Sequence, residues 1–242
     1  MTTDLGDLPA LASATVAAAW CDRERRYEEG GYDGAGVVDA VGQVTGSLPV
    51  LLSAGHAVTH FRHGAPKRAD IGTGGLAELL AERVGAHALT STGIAMTDPN
   101  YDPHGTFKDH LVDLACRVEA VVDLHGMTDG YGPDVCLGSG AVPALADGLI
   151  AVFRAELEVA GFSVTVDNPF LADRPTTVTS TAQAAGVPAL QLEIARRVRN
   201  PWQDPETAAR LVGALGRAVA AAAGLGDRVN AAQPVTRSRL AG

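Results

Sequence analysis

The residues of this sequence best suited to chemistry stand just beyond short apolar runs. His56 follows LPVLLSA at 48–54, His125 follows VEAVVDL at 118–124, and Glu193 closes the run begun by VPALQL at 187–192. Asp98-Pro99-Asn100 comes a few residues after AHALTST at 86–92. Zinc accepts imidazole and carboxylate ligands, and a catalytic site keeps one position open for water. The metal lowers the pKa of that water and polarises a carbonyl, while a nearby Glu moves protons. His56 and His125 are the candidate ligands. Asp70, His60 and His63, all on the stretch after the first run, compete for the third place. Glu193 ends an otherwise apolar segment, so its carboxylate needs a partner, either metal-bound water or a cation such as Arg196.

These residues converge only if the runs are strands of one sheet. Between them lie helical patterns at 73–84, 106–117, 142–160 and 205–223. In 142–160, Val142, Leu145, Leu149, Val152, Phe153 and Leu157 recur at helical steps and build one apolar face. Asp204 and Pro205 supply an N-cap and a first-turn proline for 205–223. Alternating strands and helices predict an α/β fold of three layers, α/β/α, with a mostly parallel, mixed central sheet. FSVTVD at 162–167 is a further strand, and VVDAVGQVT at 37–45 is an edge candidate. Ligands of open α/β sheets bind beyond the carboxyl ends of the strands, which is where the two histidines, Asn100 and Glu193 fall.

The chain of 242 residues reads as one domain, 1–242, with an N-terminal helix over about 8–29 and a loosely held tail from about 226. Its 19 Lys and Arg stand against 28 Asp and Glu, a net charge of −9, which argues against a nucleic-acid partner. No stretch approaches the roughly 18 apolar residues of a membrane span, and the N-terminus, with Asp4 and Asp7 and no basic segment, does not read as a signal peptide. Three scattered cysteines, Cys21, Cys116 and Cys136, read as reduced thiols of a cytoplasmic protein.

Several segments together, SAGHAVTHFRHGAPKRADIGTGGLAELLAE, DPNYD, VVDLHG, NPF at 168–170 and ALQLEIARRVR, resemble the N-formylglutamate amidohydrolase family over roughly 48–200. The resemblance implies a zinc-carboxypeptidase-like fold and zinc-dependent hydrolysis of an amide in an N-acyl amino acid, with a small-molecule carboxylate as substrate. By position, His56 and His125 answer to the ligand histidines and Glu193 to the general acid/base acting on zinc-bound water. Asp70 takes the carboxylate-ligand role, with His60 as its competitor. The carboxypeptidase pattern places an acid three residues after the first histidine, where this chain has Thr59. It also has His-Gly at 125–126 where His-Ser is usual, which opens the pocket floor.

Substrates of that class carry carboxylates, which Arg fits bidentately. Arg62 and Arg196 are the candidate clamps, each within a few residues of a proposed catalytic group, and Asn100 is a further substrate-binding candidate. The segments 126–141 and 168–180 are expected to wall the pocket. GTGG at 72–75 reads as a helix start with Thr73 as cap, its amides able to cradle an anion. Two rival readings exist: a thiol hydrolase pairing Cys136 with a histidine, and a binding protein that kept the fold and lost the chemistry.

Overall fold

The computed structural model describes residues 13–224. The tail expected from about 226, and the start of the expected first helix, lie outside that range. Within it, the first helix, α1, runs Ser13–Glu29. Then come β1 (Val41–Val44), β2 (Val50–Ala54), a hairpin of β3 (His60–Arg62) and β4 (Ala65–Lys67), and α2 (Thr73–Val84). They are followed by β5 (His87–Ser91), α3 (Thr106–Ala115), β6 (Ala120–Met127) and β7 (Val135–Gly138). The chain continues through α4 (Asp147–Val159), β8 (Val164–Val166), α5 (Val178–Ala184), β9 (Ala189–Ala195) and α6 (Pro205–Ala222).

Seven strands form the main sheet in the order β1-β5-β2-β6-β9-β7-β8. The four strands β5, β2, β6 and β9 run parallel, as their apolar, doubly buried sequences require. β1 joins the edge antiparallel to β5, and β7 joins antiparallel to β9. The sheet is therefore mixed, and the expected architecture holds.

The two sheet faces are covered unequally. Val50, Leu52, Val122, Leu124, Leu190 and Leu192 pack into the large core beneath α1, α2, α4 and α6. Leu51, Leu89, Val121 and Ala189 point the other way, into a smaller core under α3 and α5. Side chains alternate along a strand, so Ser53, Asp123, His125, Gln191 and Glu193 share this second face toward the carboxyl ends of their strands. Two short helices leave that end uncovered by apolar groups, and polar side chains fill it.

Four expectations from sequence need revision. The helix expected over 142–160 breaks into a single 3-10 turn at Pro143–Leu145 and α4 proper, leaving Val142 42% exposed. β6 extends three residues past its apolar run because Leu124–Met127 stay in register with Leu192–Ala195 of β9. The segment 126–141, expected only as a pocket wall, also contributes a strand of the sheet, β7. GTGG does cradle an anion, but one from the chain itself: Glu24 of α1 accepts hydrogen bonds from the backbone N–H of Gly72 at 2.7 Å and Gly75 at 2.8 Å. The N-cap is Gly72, and the Thr73 hydroxyl donates to the Asp70 carbonyl at 2.7 Å. Gly75 is required for the close approach, since a Cβ there would sit 2.8 Å from the backbone nitrogen of Glu24.

Two predictions follow from this packing. Glu24→Ala strands buried amides at the head of α2 and is expected to cost about 2–3 kcal/mol, Glu24→Gln less; urea denaturation measures both. Lys108 of α3 is 4% exposed and donates to the Thr176 carbonyl at 2.6 Å and to Thr181 Oγ1 at 2.8 Å. Burial pushes its ammonium down from 10.5 to about 8, against the pull of Asp123 and Asp98. Between those pH values the unfolded chain binds the proton and the native chain releases it, so stability rises with pH in that window. Lys108→Met should flatten the rise in denaturation curves taken from pH 8 to 10.5; an unchanged slope would reject the assignment.

Candidate active site

The carboxyl ends of β2, β6 and β9 deliver the site. His56 leaves the turn after β2, while His125 and Glu193 face each other in register on adjacent strands. Asp70 comes from beyond the β3–β4 hairpin, yet its backbone N–H donates to the His56 carbonyl at 2.8 Å. That bond places the acid beside the first histidine, a position a side chain at 59 does not supply here. The Asp70 carbonyl in turn accepts from the N–H of Thr73 at 3.1 Å, so the head of α2 holds the residue from the other side.

Asp70 Oδ2 lies 3.5 Å from Nδ1 of His56 and 3.1 Å from Nδ1 of His125. One donor atom from each of the three residues falls within 4.8 Å of the other two. The opposite ring nitrogens are also committed. Nε2 of His56 donates to Asp98 Oδ1 at 2.8 Å, and Nε2 of His125 donates to Asp123 Oδ2 at 2.8 Å. Imidazoles that ligate a metal commonly give their other N–H to a carboxylate, which fixes ring orientation and raises basicity. This set fits a zinc ion: two imidazole nitrogens and one carboxylate converge, and space remains on the pocket side.

The charges of the three residues follow from their burial and their pairing with one another. Asp70 is desolvated, but hydrogen bonds from His125 and His56 hold it well below the usual carboxylate range. Burial likewise opposes ionisation of Asp98, and His56 with the N–H of Asn100 overcomes it. Burial pushes both imidazoles down, and the charge of His125 adds to this at His56; Asp70 with Asp98 outweighs it to raise His56, and Asp123 with Asp70 raises His125 well above its ordinary value. Asp123 is further satisfied by the Ser53 hydroxyl at 2.5 Å.

His60 and Asp98 form a second grouping with His56. His60 stacks flat on His56, ring centroids 3.9 Å apart, and burial with the charge of His56 pushes it down to about 4. Asp98 already accepts from His56, from Arg62 at 2.6 Å and from the N–H of Asn100 at 2.9 Å. His60 therefore lies behind the first ligand, outside the pocket lining. His63 pairs at 2.8 Å with the Tyr101 hydroxyl on the surface.

Glu193 lines the same pocket, 9% exposed, and accepts a hydrogen bond from Gln191 Nε2 at 3.1 Å. Burial raises its carboxyl to about 7, with Asp70 and Asp123 adding to the effect while His125 and His56 oppose it. Its neighbour is not Arg196, whose side chain is exposed on the far side of the rim. Asn100 packs beside His125: its Oδ1 accepts from the N–H of Val178 at 2.7 Å, and its Nδ2 stands 2.9 Å from His125 Nε2, a contact of two donors and not a hydrogen bond while Nε2 donates to Asp123. Arg62 does line the pocket, tied to Asp98 and packed over Tyr101. Arg174, which the spacing argument passed over, stands on the same ring, 4.5 Å from its centroid. The cavity holds about 530 Å³, and the two expected walls are present as Met127, Thr128 and Tyr131 on one side and Phe170–Arg174 on the other.

Cys136 is fully buried in β7, its thiol donating to the Phe170 carbonyl at 3.6 Å, so its partner is no histidine. The open floor expected at Gly126 is filled instead: the Arg199 guanidinium packs where a Cβ would stand.

The resemblance read from the motifs holds. Residues 95–199 match the family model described as N-formylglutamate amidohydrolase. No curated protein matches the sequence. Among solved structures, the fold is similar to that of N-formylglutamate amidohydrolase from Ralstonia eutropha JMP134, at 17% identity over 79% of this chain and 99% of the other, TM-score 0.55. A bacteriophage poly-gamma-glutamate hydrolase matches at 18% identity over 78% and 90%, TM-score 0.54. A gene product of Agrobacterium tumefaciens matches at 16% identity over 77% and 94%, TM-score 0.56. The likeness to these three is one of fold, and it agrees with the three-layer, zinc-carboxypeptidase-like architecture.

The outer carboxylates generate the prediction here. Asp98→Asn and Asp123→Asn should each weaken zinc affinity about 10–100-fold, read by competition with a chromophoric chelator. His60→Ala should change it far less. A larger loss from His60→Ala than from Asp70→Ala would move the third ligand to His60.

Proposed function

From a chain that resembles the N-formylglutamate amidohydrolase family in sequence over 95–199 and in fold over most of its described length, we propose a zinc-dependent amidohydrolase that cleaves the amide of an N-acyl amino acid, a deformylase-like reaction. The observation that carries this reading is the meeting of His56 Nδ1, His125 Nδ1 and Asp70 Oδ2 in one pocket with the buried carboxyl of Glu193. His56, Asp70 and His125 would hold the zinc, whose chemistry is to polarise the amide carbonyl and make water acidic.

The chain's own residues do the rest. Glu193, raised to about 7, is poised to take a proton from the attacking water and hand it to the leaving amine nitrogen. Gln191 holds the carboxyl through Oε1, leaving Oε2 for the reaction. Arg62 and Arg174 bring positive charge to the mouth of the pocket, where a substrate carboxylate docks. Tyr131 and Phe170, edge to face at 4.8 Å, form an apolar wall that shields the scissile bond from bulk water. The described residues include no helix long and apolar enough to cross a membrane. The three cysteines are free, which suits the cytoplasmic setting we assign to a single-domain enzyme of this kind.

Glu193→Gln preserves shape and removes the base. With zinc still bound, kcat on an N-acyl amino acid should fall by about 10²–10⁴. Loss of zinc in that variant would make Glu193 a ligand, and near-normal turnover would reject its role in proton transfer.

A further inference from the structure

A second cavity of about 760 Å³ adjoins the first and shares Asp70, Gly126, Met127 and Thr128 with it. The first opens on the α3/α5 side of the rim. The second opens on the opposite side, where Gly126 turns toward Arg199. The proposed metal ligand Asp70 therefore stands between two arms of one cleft. A single arm of this size already holds a small ligand, so a formyl group leaves the second arm without a purpose.

The second arm is cationic in a chain whose net charge is −9. Arg68, Arg196 and Arg199 line it, against Glu28 and the shared Asp70. None of the three arginines has a carboxylate within 4.0 Å among the described residues. Arg199 is the telling one. It is 7% exposed, and its guanidinium is locked by Nε to the Ile194 carbonyl at 2.9 Å and by Nη1 to the Ile71 carbonyl. Nη2 is left over the bare face of Gly126. A buried guanidinium needs a counter-charge or full hydrogen bonding; Asp70, Glu193 and Glu24 favour its charge from beyond salt-bridge distance, and the group is held rigid at the wall of the cavity. Trp202, 42% exposed, adds an apolar face beside it.

We propose that this second arm is a carboxylate subsite, so that the substrate carries an anionic group on both sides of the scissile amide. The class is an N-acyl amino acid whose acyl part ends in a carboxylate, or an acidic peptide-like chain, threaded across the rim from one arm to the other. Arg199 is the rigid anchor of the subsite, with Arg196 and Arg68 as its exposed flank. This inference rests on the amidohydrolase reading for the position of the scissile bond and on the two-armed cleft for the second charge.

The test compares N-glutarylglutamate with N-pentanoylglutamate, equal in chain length and differing only in the distal carboxylate. Calorimetric titration of zinc-loaded Glu193→Gln protein should show the diacid binding about tenfold to a hundredfold tighter. Adding Arg199→Gln should remove most of that preference. Because Arg199 also holds two backbone carbonyls, the exposed pair Arg68→Gln and Arg196→Gln provides a second route, expected to reduce the preference at least about threefold while the fold stays intact. Equal affinity for the two ligands, or a preference that survives both sets of substitutions, would overturn the subsite. Zinc-loaded wild-type protein that turns over neither ligand would instead reject the amidohydrolase reading and leave the binding comparison standing.

Discussion

Two carboxyl groups with no exposed surface, Asp98 and Asp123, impose the constraint on which this molecule depends. An unpaired charge in that setting costs several kcal/mol, so every residue around them is obliged to neutralise or hydrogen-bond. His56 and Arg62 turn inward to Asp98, and Ser53 and His125 turn inward to Asp123. Once the Nε2 atoms are engaged, both Nδ1 atoms are compelled to face Asp70. The arrangement of the inner atoms follows from burial of the outer ones. The thin helical layer of α3 and α5 makes that burial tolerable by leaving a polar trough at one end of the sheet.

Geometry at the rim then divides the labour between the two faces. On the α3/α5 side, the histidines, Asp70 and Glu193 face the aromatic edges of Tyr131 and Phe170, with Arg62 and Arg174 also in the lining. On the other side the wall is made of arginine and tryptophan. Gly126 is the point where the faces meet, because His125 before it points one way and the vacant position at 126 admits Arg199 from the other. A serine there would displace the guanidinium. The departure from the family's usual His-Ser pair thus reads as accommodation of a cation rather than as an enlarged floor.

Much of this was legible in the linear sequence, and for identifiable reasons. Long apolar runs named the four parallel strands, and helical periodicity named α2, α3 and α6 nearly to the residue. His56, His125 and Glu193 were visible because strand ends are where an α/β sheet presents side chains. What stayed hidden was set by tertiary contact. VCLG at 135–138 is too short and too evenly buried to show alternation, and becomes β7 only by pairing with β9. VTSTAQA is a poor helix former, held as α5 by the Thr177 cap and by Lys108. Asp98 and Asp123 looked like ordinary strand-end acids, and nothing local distinguishes Arg199 from Arg196 or Arg197. Only the turn after β9 folds Arg199 back onto the Ile194 and Ile71 carbonyls and leaves Arg196 and Arg197 exposed.

The carboxylate of Glu24 gives the rim a dependence that no inventory of rim residues would disclose. It fastens the head of α2, Trp20 donates to the Gly72 carbonyl beside it at 2.9 Å, and Asp70 hangs from the same turn by its own backbone bonds. The first helix, more than forty residues upstream, thereby sets the aim of the carboxylate that two imidazoles share. A related chain could keep every pocket side chain and still be silent through a change in its first helix. Assigning activity to such relatives by matching pocket residues alone would count inert proteins among the active ones, and inspection of positions 20, 24, 72 and 75 would separate them.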